Sequence, residues 1–116
     1  MDSILNKNDV LFKHIDCANC KNWKSFIKNF EEEFCFPTKG DLIDGFYDWM
    51  EDLSWLGNKE IYILVLSNYD QMLVEDIKAR EKIDLFFKVD LIKWWEKDCA
   101  KYVVNGKCKT FLIYKI

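Results

Sequence analysis

Hydrophobic positions along this chain switch between the period of a strand and the period of a helix, and each switch marks an element. Val10-Leu11-Phe12-Lys13-His14-Ile15 reads as a first strand. Trp23, Phe26, Ile27 and Phe30 then recur at helical spacing, predicting a helix from about Asn22 to Phe34, with the polar Asp16 to Asn19 stretch as the turn between. Pro37, the only proline, and Gly40 punctuate a loop, after which a second helix begins with Asp41 as its expected N-cap. Gly57-Asn58 supplies the next turn. Ile61-Tyr62-Ile63-Leu64-Val65-Leu66 is a continuous β-favouring run, the pattern of a strand covered on both faces in a parallel sheet. From Asp70 to Val104 the pattern is helical again, expected as two helices meeting between Ala79 and Asp84. Their apolar side is expected to hold Met72, Ile77, Phe87, Leu91, Trp94, Trp95 and Tyr102, with Lys88, Lys93, Lys97 and Lys101 largely opposite. Asn105-Gly106 ends the helix, and Thr110 to Lys115 makes a final strand. Strands separated by helical crossovers predict an α/β fold: a three-stranded parallel sheet with helices packed against it.

The second helix carries most of the functional signal. At about 100° per residue, Leu42, Phe46, Trp49, Met50 and Leu53 fall in one sector, and Asp41, Asp44, Asp48, Glu51 and Asp52 fall roughly opposite, with Tyr47 on the boundary. One face is expected to pack and the other to meet something positively charged. Charge is concentrated around it. Eight of the 20 acidic residues and one of the 17 basic ones lie between Glu31 and Asp52, a local balance of −7 against +4 for the rest, which the net −3 conceals. Like charges at i,i+4, such as Asp44 with Asp48, disfavour a helix by about 0.2–0.5 kcal/mol per pair, so helix stability is not what places them there. The plainer reading is that Asp41 and Asp44 favour the positive end of the helix dipole and the remainder is a solvated face.

A chain of 116 residues, half of them hydrophobic and 16% aromatic, is expected to form one domain over residues 1–116 with a real core. No basic-then-apolar leader opens it and no apolar run is long enough to span a bilayer, so the reading is a soluble, cytoplasmic protein without a membrane partner. Five cysteines, Cys17, Cys20, Cys35, Cys99 and Cys108, fit reduced thiols better than a disulfide framework. His14, Cys17 and Cys20 have metal-like spacing, and one of the other thiols is a conceivable fourth zinc ligand, but no second close ligand pair is present. A thioredoxin-type redox role for Cys17 and Cys20 would need the pair at a helix N-terminus after a strand.

Catalysis finds little support. His14 is the only histidine and lies within a predicted strand, and no catalytic triad, glycine-rich phosphate loop or paired metal motif accompanies it, so neither an enzyme nor a bound cofactor is expected. Asp44 and Asp48 as an acid–base pair would need a pocket to tune them, and a convex helix face provides none. Nucleic acid would be repelled by the acidic face.

The stretch from Phe36 to Leu53 resembles the barstar family of intracellular ribonuclease inhibitors. The likeness rests on an apolar residue before a proline (Phe36-Pro37), a short loop to Gly40, an apolar–Asp pair (Ile43-Asp44), the aromatic Tyr47 and then Asp48. The order of elements is similar too. The resemblance implies a barstar-like fold and a loop and acidic helix that plug the active site of a basic ribonuclease, with carboxylates standing where RNA phosphates would lie. It makes Asp48 the central plug and Asp44 its neighbour, with Gly40, Ile43 and Tyr47 around them and Asp41 on the same acidic face. Trp55 would be an aromatic contact just after the helix, and Glu96 and Asp98 further acidic contacts on the last helix. The loop departs from the family, since only Thr38 and Lys39 lie between Pro37 and Gly40, one residue fewer and without tyrosines. The implied partner is a basic extracellular-type ribonuclease or a nuclease-like toxin. The alternatives are an interaction module binding another basic partner, or a Cys/His metal-dependent regulator.

Overall fold

The three apolar, β-branched runs form strands: β1 (Val10–Asp16), β2 (Ile61–Ser67) and β3 (Thr110–Lys115). The structure is a computed structural model that describes residues 9–57, 59–98 and 109–116. All pairing is parallel in the order β1-β2-β3, so β2 is the central strand. Register places Leu11, Tyr62 and Phe111 in one row and Lys13, Leu64 and Ile113 in another. Together with Ile15 and Leu66 these rows carry the buried residues of the sheet.

The other face of the sheet corrects the expectation for Ile61 to Leu66. β2 alternates between fully buried and half-buried positions, and in the outer row Phe12 and Leu112, which flank Ile63, are 60% and 37% exposed. Among the described residues, the helical ring of Trp95 meets Tyr62 and Phe111 on the inner face. A sheet covered on one side needs alternation, and the uninterrupted run concealed it because its outward positions are also apolar.

Helix α1 (Trp23–Glu33) starts at a capping box: Asn22 accepts from the Ser25 N–H at 2.8 Å, and Ser25 Oγ accepts from the Asn22 N–H at 3.3 Å. Its buried face, Phe26, Ile27 and Phe30, meets Phe46 of α2 (Ile43–Met50), whose ring lies 5.2 Å from both Phe26 and Phe30. Phe87 joins them, 5.9 Å from Phe30 and 6.2 Å from Phe46. Each such ring contributes about 1.5–3 kcal/mol through burial, so this cluster is what seats α2 on the molecule.

The last helical stretch begins after Asp76, whose side chain accepts from the Ala79 N–H at 3.1 Å and caps α3 (Ile77–Leu85). No break falls between Ala79 and Asp84. The chain continues through a π-helical turn (Phe86–Asp90), a short α4 (Leu91–Lys93) and a second π-helical turn (Trp94–Asp98). The interruption lies earlier, after the 3₁₀ turn Tyr69–Gln71, where Leu73 takes the left-handed conformation at φ 55°. Met72, Phe87, Leu91 and Trp95 are buried as expected, but Ile77, the first residue of α3, is 59% exposed. Lys101, Tyr102 and the expected end at Asn105-Gly106 lie outside the described residues.

Candidate functional site

The loop between α1 and α2 is tied to α1 at two points. Cys35, in the left-handed conformation at φ 53°, turns the chain out of α1, and buried Phe36 anchors it. The Gly40 N–H donates to the Glu31 carboxylate at 3.0 Å, and the Trp23 indole N–H donates to the Asp41 carbonyl at 2.5 Å. This second tie explains a departure from expectation. Asp41 is held outside the helix, Leu42 occupies the N-cap without any side-chain hydrogen bond, and the Phe46 N–H reaches back to the Leu42 carbonyl at 3.2 Å. Leu42 is therefore not on the packed sector and is 75% exposed at the rim of the loop.

Within α2 the residues sort into stripes. Phe46 and Met50 are buried, and Asp44 and Asp48, one turn apart, are exposed on the opposite side without a hydrogen bond or ion pair to any described residue. On one flank Ile43 and Tyr47 lie half-buried, with the Tyr47 ring stacked on Phe86 at 4.3 Å. Burial raises the Tyr47 phenol above its ordinary range, with Asp90 and Asp44 adding to the effect. On the other flank lie Gly45 and Trp49, the latter edge-on to Trp55 at 5.2 Å. A glycine inside a helix costs about 1 kcal/mol relative to alanine. A Cβ at Gly45 would meet nothing within 4 Å.

The acidic face is shorter than its sequence sector. The helix ends at Met50, and Asp52 turns back to accept from the Ser54 N–H at 3.1 Å. Leu53 is buried at φ 54°, and Trp55 donates its indole N–H to the Phe34 carbonyl at 2.8 Å, bracing the 3₁₀ turn Ser54–Leu56 against the end of α1. Trp94 and Trp95 supply what periodicity did not indicate. Their indole N–H groups donate to the carbonyls of Glu51 at 2.7 Å and Met50 at 3.0 Å, closing the C-terminal end of α2. The π-helical turn that carries exposed Glu96 thus meets that end of α2, with Asp98 as its last residue. The one advance signal was two adjacent tryptophans, each with a donor that needs a partner when buried.

A cleft of about 250 Å³ runs beside the acidic stripe, between α1, the loop and α2, with Gly45 and Trp49 on one wall and Phe36 and Ile27 on the other.

The cysteine and histidine candidates are not drawn together. His14 is exposed and its Nε2 pairs with Ser67 Oγ at 2.8 Å. Cys17 and Cys20 are completely buried, and burial pushes both thiols up to about 12, with the Asp16 carboxylate adding to it. They are therefore held as neutral thiols, the reverse of what a redox pair or a metal ligand needs. Asp16 itself is held below the ordinary carboxylate range by the Asn68 amide and the Ala18 N–H. Among the described residues no group of three or more His, Cys, Asp or Glu is placed to hold a metal ion, and no helix is long and apolar enough to cross a membrane. Cys99 and Cys108 lie outside the described residues.

Compared with known families, the chain matches the one described as Barstar (barnase inhibitor) over residues 10–105. No curated protein and no solved structure matches it.

Proposed function

The chain belongs to the barstar family, whose members are inhibitors rather than enzymes, and from that membership we propose that it blocks a basic ribonuclease with α2 and the preceding loop. The observation that carries this reading is the pair Asp44 and Asp48: two exposed carboxylates one turn apart, unpaired within the described residues, on a helix firmly seated by Phe46 and closed at its far end by two indoles. A ribonuclease must hold phosphates with Lys, Arg and His. Fixed carboxylates set at phosphate positions satisfy those donors with charge-assisted hydrogen bonds and leave no room for RNA. Asp48 is the central group of this reading and Asp44 its neighbour. Gly40, Asp41, Ile43 and Tyr47 form the surround of this reading, and Trp55, Glu96 and Asp98 its periphery. The two ties from α1 support the reading further, since a loop fixed before binding loses little freedom on association.

Inhibition of RNA cleavage tests it. The wild-type chain and an Asp44→Lys, Asp48→Lys double variant are titrated against barnase and a panel of basic microbial ribonucleases. Stoichiometric inhibition of at least one enzyme by the wild type alone is expected. Inhibition of none, or equal inhibition by both chains, overturns the proposal.

A further inference from the structure

Resting on the reading that α2 faces a basic ribonuclease, we propose that the cleft beside Asp44 and Asp48 is a socket for a single arginine side chain of that partner. Gly45 is the first argument. It sits inside α2, where glycine destabilises relative to alanine, yet no neighbour within 4 Å would obstruct a Cβ. Packing within the molecule does not require it, but space in the cleft that it lines does. Size and lining set the occupant. At about 250 Å³ the cleft falls below the roughly 300–1,000 Å³ of small-molecule sites and suits one side chain. Its walls combine the apolar surfaces of Phe36, Leu42 and Trp49 with the acidic residues Glu31 and Asp41. An apolar side chain would cover the Glu31 carboxylate, already bonded to the Gly40 N–H, without adding a partner for its charge. Arginine meets both needs, because its stem lies on apolar surface while its planar guanidinium stacks on an indole and pairs with carboxylates. The wide exposure of Leu42, an apolar side chain at the mouth, fits a rim that closes over an inserted stem.

The test titrates N-acetyl-arginine amide into the full ¹⁵N-labelled chain. Saturable shifts are expected at the Gly40, Leu42 and Gly45 amides and the Trp49 indole N–H, with weaker effects from N-acetyl-lysine amide and none from N-acetyl-leucine amide. Gly45→Leu fills the socket and should weaken arginine binding by about tenfold or more, which corresponds to at least one unit in log Kd. Gly45→Ala should weaken it less while raising the Tm by a few degrees, roughly what the propensity difference allows. The proposal falls if arginine produces no saturable shifts at Gly45 and Trp49, if leucine amide does as well, or if Gly45→Leu binds unchanged. It also falls if Gly45→Ala lowers the Tm, because the glycine would then serve the fold. Ribonuclease inhibition, read separately, fails or succeeds on Asp44 and Asp48 without altering this titration.

Discussion

Asp48 stands four residues after Asp44 on the same exposed stripe, an arrangement that an isolated helix resists by about 0.2–0.5 kcal/mol. Asp48→Ala should therefore act with opposite signs on stability and on binding. Urea denaturation of the free chain should show unchanged or slightly raised stability, while an inhibition titration against a susceptible ribonuclease should show a loss above about 2 kcal/mol, the threshold of a hot spot. A binding loss below about 0.5 kcal/mol would remove Asp48 from the interface. The two aspartates were legible in the sequence because a spacing of four on a helix needs no tertiary information. Leu42 was not, because the helical angle rule stops at the first helical residue and the Trp23 tie to Asp41 sets that boundary from another element. Gly45 was invisible for a different reason: it has no side chain to register in a hydrophobic pattern, so only the empty space around it draws notice.

The two ends of α2 are finished differently. Its N-terminus has no side-chain cap and opens toward the loop and the cleft, whereas its C-terminal carbonyls are closed by Trp94 and Trp95. Free N–H groups and the positive end of the helix dipole therefore lie on the side of Asp41 and Asp44. Trp95→Phe keeps a six-membered ring but deletes the donor to Met50, a fully buried bond, whose loss should cost about 1–3 kcal/mol in a urea unfolding experiment, with the cavity left by the smaller ring adding to it. Trp94→Phe, at a partly buried bond, should cost about 0.5–1.5 kcal/mol. Equal, negligible effects would show that ring packing alone holds this end. The strands were legible nearly to the residue because β-branched runs bounded by turn residues are local signals, and β3 matches its expected span from Thr110 to Lys115. The break expected between Ala79 and Asp84 was misplaced. The interruption is made by Leu73 in a left-handed conformation, which leucine reaches only under tertiary constraint, and the Asp76 cap then restarts the helix.

Segregation of charge and of burial organises the chain as a whole. With −7 concentrated between Glu31 and Asp52, association with a basic partner should be steered. Its rate constant should fall by about tenfold or more as salt rises from low ionic strength to 0.5 M, where the screening length has shrunk to about 4 Å. A stopped-flow rate insensitive to salt would separate binding from this face. Burial has its own consequence between β1 and α1, where Cys17 and Cys20 lie in and just after the 3₁₀ turn Cys17–Asn19. A thiol with an ordinary value of 9.0 that the fold holds near 12 stays neutral in the native chain but ionises once unfolded. The stability this represents is complete below pH 9 and is lost as pH rises from 9 toward 12. By pH 10 the loss is on the order of 1 kcal/mol per thiol, and the raised phenols of Tyr62 and Tyr69 add to it above pH 10. Urea midpoints measured from pH 7 to 10.5 should therefore fall on the alkaline side. Replacing Cys20 by Ala should lower stability at pH 7 through lost packing yet flatten that fall by about one thiol's share, and an unchanged alkaline slope would mean that the buried thiols do not set it.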